Sequence, residues 1–220
     1  MTISNTTMTR RRSLLTFAAA AGAIAVLPWH SAGAQGTADA TATAPVQQLG
    51  DALLAAMKSG DHSAFADRYR ALDPVVERVF NLDSVLATSV GLSWGRLPEA
   101  QKAVLAKAFR RYTVSSYVAS FNSYSGESFQ VSPAVRTVGP GEVVVQSRLR
   151  RSDGTSLALD YVMRRFPAGW QAVDVLTDGS ISRVAVQRSD FRELLKAGGV
   201  PALANGLDHK VASLSGGMVG

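Results

Sequence analysis

The spacing of apolar residues changes twice along the chain, and these changes restrict the possible folds. Between residues 46 and 121, apolar side chains recur every three or four positions, as they do on one face of an α-helix. Between residues 142 and 166 they alternate with polar side chains, which is the pattern of a β-strand. The helical spacing returns after Gly179. Helices, then strands, then helices predict an α+β protein whose helices pack on one face of a sheet.

Glycine, proline and capping residues divide the helical parts of the sequence into segments. Pro45 is predicted to open the first helix, because proline suits the first helical position, and Gly60 to end it. Asp61 is a suitable cap for the next helix. The predicted helices cover residues 45–59, 62–72, 74–80, 84–90, 98–121, 190–196 and 201–214.

Four strands are predicted to form an antiparallel meander. The first begins near residue 129, and the others cover residues 142–150, 155–166 and 170–177. Gly-Pro-Gly, Ser-Asp-Gly and Pro-Ala-Gly turns separate them. The turn Asp178-Gly179 follows the fourth strand and leads to the predicted helix start at Ser189 and Asp190.

The segment 1–34 has the composition of a cleaved export signal. Arg10 to Arg12 precede an apolar stretch from Leu14 to Leu27, and Ala32-Gly33-Ala34 provides a small-residue cleavage site before Gln35. The apolar stretch has about 14 residues, whereas a membrane-spanning helix needs roughly 20. The run from Arg11 to Leu15 fits a twin-arginine signal and a Sec signal equally.

The rest of the sequence divides into three parts. Residues 35–45 are predicted to be a disordered leader because they have almost nothing to bury, residues 46–214 a single domain, and residues 215–220 a flexible tail. The chain has no cysteine, which excludes a disulfide framework and a lipoprotein anchor. We therefore expect a periplasmic monomer.

The charge of the mature chain argues against a nucleic-acid partner. Removing the three arginines of the signal from the 23 basic residues leaves 20, against 17 acidic residues. This small surplus is not arranged as a basic run interleaved with aromatic residues. It suits transient contact with an anionic membrane surface, where each basic residue contributes about 1 kcal/mol.

The sequence contains no motif typical of catalysis or metal binding. His62 and His209 have no partners at ligand spacing, and zinc-protease, nucleophile-elbow and Walker motifs are absent. Asp160 and Asp174 lie on different predicted strands and could form a carboxylate pair, although ion pairs with arginines explain them more simply. No catalytic residue, metal or cofactor is therefore predicted.

The segment from Trp170 to Phe191 resembles the signature of one protein family. It carries W-x-x-x-D-V-x-x-x-G, followed by I-S and R-S-x-F. These motifs are similar to those of the MlaC and toluene-tolerance family of periplasmic lipid-binding proteins. The sequence of residues 180–191 resembles that of the HpnM branch of the family, which is associated with hopanoid biosynthesis.

Other blocks extend this resemblance over nearly the whole mature chain. Residues 72–94 are similar to the family's L-x-P-x-V, F-D and L-G-x-x-W blocks. Residues 109–124 are similar to a helix of the family that carries a Phe, then a Tyr, then the motif L-x-x-Y. The chain departs from the pattern at two places. Asn81 stands where an aspartate is common, and one extra residue separates Gly179 from the I-S motif.

The resemblance implies a cone-like fold, with helices over a curved four-stranded sheet and a deep apolar pocket between the two layers. Family members take lipid from a membrane-bound transport complex and carry it between the inner and outer membranes without changing it chemically. The HpnM branch is associated with hopanoids, so its resemblance leaves a phospholipid and a polycyclic hopanoid as alternative cargoes. Exposing about 30 methylene groups to water, at about 0.8 kcal/mol each, would cost on the order of 20 kcal/mol. A carrier must therefore offer a dry pocket, whose volume we expect to be roughly 1,000 Å³.

The predicted pocket walls are the inward positions of the strands and the apolar helix positions that face them. A filled core would show the same alternation, so the pattern alone does not establish a cavity. The predicted lining residues are Phe80, Leu86, Leu105, Phe109, Tyr112, Tyr117, Val143, Val145, Leu149, Leu157, Leu159, Tyr161 and Met163.

Arg188 is the charged residue considered for headgroup binding. It precedes the predicted helix at Ser189, where it could pair with a lipid phosphate or with Asp174. The structural pair with Asp174 is favoured, because a headgroup that stays in solvent needs no specific contact.

Two other functions remain open from the sequence. One is a non-catalytic adaptor for an envelope complex, with a solid core and a functional surface. The other is an isomerase or hydratase on a similar scaffold, which requires an acid that points inward and acts as a base.

Overall fold

The structure, a computed structural model, describes residues 32–219 as an α+β protein with the predicted succession of helices, strands and helices. This range contains five α-helices and five strands, with short 3₁₀ segments at Gly60–His62 and Gly91–Arg96. In chain order the elements are α1 (Ala32–Ser59), α2 (Phe65–Val79), α3 (Leu82–Val90), α4 (Glu99–Ser120), β1 (Ser128–Gly139), β2 (Glu142–Arg150), β3 (Ser156–Phe166), β4 (Gly169–Thr177), β5 (Ile181–Ser182) and α5 (Arg183–Ser215).

The strands form an antiparallel meander in the order β1-β2-β3-β4-β5. The four predicted strands are confirmed, but the sheet has a fifth strand that the sequence did not reveal. This strand, β5, is two residues long and pairs with the end of β4. Asp178 and Gly179 connect the two strands with φ angles of +53° and +71°. Aspartate and glycine tolerate this left-handed conformation better than most residues, so the dipeptide reverses the chain.

The two faces of β2 and β3 differ in chemistry. Odd-numbered side chains from 143 to 149 and from 157 to 163 are buried or half-buried on the inner face, under the helices. The even-numbered Gln146, Arg148, Arg150 and Arg164 are exposed on the outer face. The inner-face pairs in register are Val143 with Met163, Val145 with Tyr161, and Leu149 with Leu157.

Helix α1 extends further towards the N-terminus than the sequence predicts. The disordered leader expected at residues 35–45 is not observed, because this segment continues α1 and Pro45 lies inside the helix. Ala42 and Val46 are completely buried. Alanine has the highest helix propensity, and packing of one face against the protein stabilises the helix further. Residues 1–31, with most of the predicted export signal, lie outside the described residues.

Helix α2 joins two segments that were predicted to be separate. It continues through Pro74, which lacks the N–H for one helical hydrogen bond. Leu72, Val76 and Val79 are buried on the same side of the helix, and their burial offsets that loss. No helix within residues 32–219 is long and apolar enough to cross a membrane.

Helix α5 begins earlier than the predicted start at Ser189. Ser182 caps it, because its hydroxyl accepts a hydrogen bond from the Ala185 N–H at 2.9 Å. The predicted break at Gly198-Gly199 appears as a kink, where Gly199 has a φ of +66°.

The C-terminal residues are not the free tail that was predicted for 215–220. Ser215 still belongs to α5 and is 1% exposed. Its hydroxyl accepts a hydrogen bond from the Val219 N–H at 3.3 Å, and Val219 packs against the core. Gly220 lies outside the described residues.

Two clusters of buried side chains make up the core. The first, called the sheet cluster, joins α1 and α2 to the inner face of the sheet and includes Leu49, Leu53, Val76, Val145 and Met163. The second, called the helix cluster, joins α3, α4 and α5 and includes Leu86, Leu105, Phe191, Leu203 and Leu207. Gly50 allows α1 to approach β1 closely, because a Cβ atom there would lie 2.2 Å from the ring of Phe129.

Candidate functional site

A cavity of about 500 Å³ lies where the sheet cluster meets the helix cluster. Its volume is half of the roughly 1,000 Å³ expected for a whole lipid. The lining residues are Phe80, Leu82, Val85, Phe109, Tyr112, Thr113, Ser116, Tyr117, Ser120, Phe121, Leu149, Arg151, Leu157, Leu159, Tyr161, Asp174, Val175, Thr177, Arg183, Val184 and Gln187.

Four aromatic rings form one wall of the cavity. The ring centroid of Phe80 lies 5.7 Å from that of Tyr117 and 6.2 Å from that of Tyr161, and the ring of Tyr117 stacks on Phe121 at 6.0 Å. Phe80 reaches this wall because it follows the end of α2 and forms a bridge with Ala172 of β4. The rings hold one another in place, which gives the cavity a fixed apolar side.

Residues of α4 and β3 that carry hydroxyl groups also belong to the cavity lining. The Ser116 hydroxyl donates a hydrogen bond to the Tyr112 carbonyl at 2.8 Å. By contrast, the hydroxyl oxygens of Thr113 and Tyr161 are buried and have no hydrogen-bond partner within the described part of the chain. A buried polar group without a partner costs about 1–3 kcal/mol, so these two hydroxyls are an energetic defect of the cavity wall.

Burial raises the pKa of both Tyr117 and Tyr161 above the ordinary tyrosine value. The proximity of Tyr117 raises the pKa of Tyr161 further, whereas the positive charge of Arg183 partly lowers that of Tyr117. Both side chains are therefore neutral at physiological pH. They can donate or accept hydrogen bonds, but they carry no charge.

The cavity opens to solvent beside two arginines. Three residues of the cavity lining are exposed to solvent: Ser120, Arg151 and Arg183. Among residues 32–219, neither guanidinium is within ion-pair distance of a carboxylate. Two positive charges at the opening of an apolar cavity suit an amphiphile with an anionic headgroup.

The structure brings eight of the predicted lining residues to the cavity. They are Phe80, Phe109, Tyr112, Tyr117, Leu149, Leu157, Leu159 and Tyr161. The other five are buried elsewhere, where neighbouring side chains fill the space. Leu86 and Leu105 belong to the helix cluster, and Val143, Val145 and Met163 to the sheet cluster. Alternation identifies the inward face of a strand, but it does not show which part of that face is left uncovered.

Asp174 has a structural role at the end of β4. Its carboxylate accepts hydrogen bonds from the Ser182 hydroxyl at 2.5 Å and from the N–H groups of Val175 at 2.7 Å and Val184 at 3.1 Å. It therefore holds the start of α5 against β4. The predicted pair of Asp174 with Arg188 is not formed.

Arg183 occupies the place that the sequence suggested for Arg188. Arg188 is outside the cavity lining and lies beside Gly91, where a Cβ atom would be 3.2 Å from its Nε. Arg188 was chosen because the helix was predicted to start at Ser189. The observed helix is capped by Ser182, which places Arg183 at its first position.

Sequence reasoning also missed the polar part of the cavity wall. Thr113, Ser116 and Ser120 recur at helical spacing on α4, next to the predicted Tyr112 and Tyr117. Such a hydroxyl stripe on an otherwise apolar helix face was the available signal.

Asp160 lies on the outer face of the sheet. It is 7% exposed and lines a separate polar depression of about 550 Å³ together with Arg136, Arg148 and Asp178. Asp160 and Asp174 therefore line different cavities, and they do not form the carboxylate pair considered from the sequence. Residues 32–219 contain no group of three or more His, Cys, Asp or Glu side chains that could hold a metal ion.

Comparison with known proteins connects this fold with one family. The family model described as MlaC protein matches residues 47–209 of the chain. No curated protein matches it. Among solved structures, a phospholipid-binding protein from Ralstonia solanacearum in complex with a phospholipid is similar, with a TM-score of 0.68 and 22% sequence identity. The match covers 79% of this chain and 98% of that protein, so the two share a fold.

Proposed function

Because the chain belongs to the MlaC family, we propose that it is a periplasmic carrier that encloses the apolar part of a phospholipid or hopanoid and moves it between the inner and outer membranes. The observation that carries this proposal is the cavity of about 500 Å³ between the sheet cluster and the helix cluster. The similar protein from Ralstonia solanacearum holds a phospholipid, which supports a lipid as the ligand here.

The cavity volume sets the share of the lipid that is enclosed. If a methylene group takes about the volume of a water molecule, roughly 30 Å³, the cavity holds about 17 methylene groups. At about 0.8 kcal/mol each, keeping them from water stabilises the complex by on the order of 10 kcal/mol. The cavity therefore suits one acyl chain, while the remainder of the lipid lies at the opening near Arg151 and Arg183.

The two alternative functions receive less support. An adaptor with a solid core needs no space between its layers, whereas this protein has a cavity there. An isomerase or hydratase needs an acid that is free to act as a base inside the cavity. Asp174 reaches the lining, but its carboxylate already accepts three hydrogen bonds. The proposed carrier binds its cargo without chemical change.

Native mass spectrometry of protein purified from its own periplasm tests lipid binding. The wild type should carry a bound lipid mass, and extraction of that lipid distinguishes a phospholipid from a hopanoid. Ser116→Trp, which places a large side chain in the cavity, should abolish the bound mass. Val104→Trp is the matched control on the same helix, because Val104 is 53% exposed and outside the cavity lining, and it should retain the lipid.

Absence of lipid from the wild type, or equal loading of both tryptophan variants, would contradict the proposal. Transport itself is tested with donor and acceptor vesicles of phospholipid that are separated by a filter. The wild type should accelerate lipid transfer between them, and Ser116→Trp should not. A membrane-bound lipid transport complex is the expected docking partner in the cell.

A further inference from the structure

The cavity wall contains two polar groups that a purely hydrocarbon ligand would leave unsatisfied. Tyr161 is 0% exposed and Thr113 half-buried, and the hydroxyl oxygen of each is shielded from solvent without a hydrogen bond to any residue from 32 to 219. Nearly all buried polar groups in folded proteins have a partner. Five buried side-chain atoms lack a partner among residues 32–219, and these two are the ones whose residues line the cavity, which points to the ligand as their partner.

Both residues are neighbours of Tyr117 in the cavity lining. Thr113 lies one helical turn before Tyr117 on α4, and Tyr117 is close enough to Tyr161 to affect its pKa. The rings of Tyr117 and Tyr161 both contact Phe80. Tyr161 marks the border of the cavity on the sheet, because its register partner Val145 is packed in the sheet cluster and does not line the cavity.

We propose, on the basis of the carrier function above, that the Tyr161 and Thr113 hydroxyls form a specificity site that hydrogen bonds an oxygen atom of the enclosed lipid. The oxygen belongs either to an ester carbonyl next to the headgroup or to a hydroxyl group on the inserted hydrocarbon. A ligand with such an oxygen satisfies both groups, whereas an unsubstituted hydrocarbon leaves them unpaired.

The test compares the wild type with Tyr161→Phe, which removes only the hydroxyl oxygen. Binding is measured with two pairs of lipids: a diacyl phospholipid and its dialkyl ether analogue, which lacks the carbonyls, and stearic acid and a hydroxystearic acid. The wild type should bind the oxygen-bearing member of one pair about three- to tenfold more tightly, where tenfold corresponds to about 1.4 kcal/mol. The pair that shows the preference identifies the source of the oxygen.

Tyr161→Phe should lose this preference and bind both members of the pair like the weaker ligand of the wild type. Thr113→Val, which has nearly the same shape, should reduce the preference as a second, independent variant. Tyr124→Phe is the control, because Tyr124 is 43% exposed and outside the cavity lining, and it should behave like the wild type. The unfolding midpoint of lipid-free Tyr161→Phe should be unchanged or higher, since no hydrogen bond is lost.

Two binding results would overturn the inference. One is a wild type that binds both members of each pair equally well, and the other is a Tyr161→Phe variant that keeps the preference. A lower unfolding midpoint for lipid-free Tyr161→Phe would also contradict it, because the hydroxyl would then have a structural partner. If the wild type bound none of the four lipids, the proposed function would be contradicted for a phospholipid cargo, and this inference would fall with it.

Discussion

The two halves of the inner face of the sheet have the same sequence pattern but different packing. The half that contains Val143, Val145 and Met163 lies outside the cavity lining, and these side chains are buried in the sheet cluster together with residues of α1 and α2. In the half that contains Leu157 and Leu159, the strands border the cavity below α3, α4 and α5. Both halves present apolar side chains at odd-numbered positions of β2 and β3. The difference shows that the covering helices, and not the strands, decide where the core is left open.

The energetic meaning of this difference is that the open half lacks contacts that the filled half has. Atoms that line an empty space lose dispersion contacts on one side. Their side chains therefore contribute less to the stability of the lipid-free protein than equally apolar side chains in the filled half. In the proposed lipid complex, the hydrocarbon of the lipid would replace the missing contacts.

The largest expected effect separates the two halves directly. Met163→Ala should lower the free energy of unfolding of the lipid-free protein by about 3 kcal/mol, because the side chain is completely buried in the sheet cluster. Leu157→Ala should lower it by only about 1 kcal/mol, because Leu157 already borders empty space. Urea unfolding of both variants measures the two values. Equal losses would show that the open half is packed as tightly as the filled half.

The second prediction concerns stability at alkaline pH. The pKa values of Tyr117 and Tyr161 are raised in the folded protein, while in the unfolded chain tyrosine titrates near 10.0. Above that pH the unfolded chain loses protons that the folded protein retains, so the free energy of unfolding should fall as the pH rises. The slope should reach about 1.4 kcal/mol per pH unit for each of the two tyrosines.

Tyr161→Phe separates this effect from general alkaline unfolding. In this variant the free energy of unfolding should fall less steeply with pH, by the contribution of one tyrosine. Tyr124→Phe, at an exposed position, should leave the slope unchanged. Chemical unfolding at a series of pH values from neutral upward measures the slopes. An identical slope in the wild type and Tyr161→Phe would show that this hydroxyl ionises freely in the folded state.

The smallest expected effect concerns the attachment of α3 to the edge of the sheet. The Asn81 side chain accepts a hydrogen bond from the Ser84 N–H at 3.0 Å and donates one to the Gln171 Oε1 at 3.0 Å. Asn81→Asp keeps the cap but loses the donor, so it should cost about 1 kcal/mol. Hydrogen exchange should then be faster in α3, which carries Leu82 and Val85 of the cavity lining, than in α1.

Asn81→Ser offers a control for this contact, because serine also caps a helix but is too short to reach Gln171 in the same way. It should show a similar loss to Asn81→Asp. Full stability of Asn81→Asp would mean that the donor to Gln171 contributes nothing, and that the aspartate common in the family is equivalent at this position.

Much of the fold could be predicted from local patterns. Alternation in β2 and β3 identified the inner face, and glycine-containing turns located the strand ends. The errors arose where two signals competed. Pro45 and Pro74 suggested helix starts, but buried neighbours on both sides keep α1 and α2 continuous. The two-residue strand β5 was too short to show any period.

The candidate site was less predictable, because an unfilled volume leaves no pattern in the sequence. Tyr161 and Met163 are neighbours on the same face of β3, yet only Tyr161 reaches the cavity. Which of them does so depends on how α3, α4 and α5 lie above the strand. Arg183 was missed because its position follows from the Ser182 cap and the hydrogen bonds of Asp174, which no local spacing indicates.

The most direct measurement is photolabelling of the protein by a phospholipid with a photoreactive group within one acyl chain. After illumination, mass spectrometry of the peptides should place the adducts on residues of the open half, such as Leu157, Leu159 and Phe80. Peptides with Val143 and Met163 should remain unlabelled. Adducts confined to the outer face of the sheet, or equally frequent in both halves, would contradict the claim that the open half encloses the hydrocarbon.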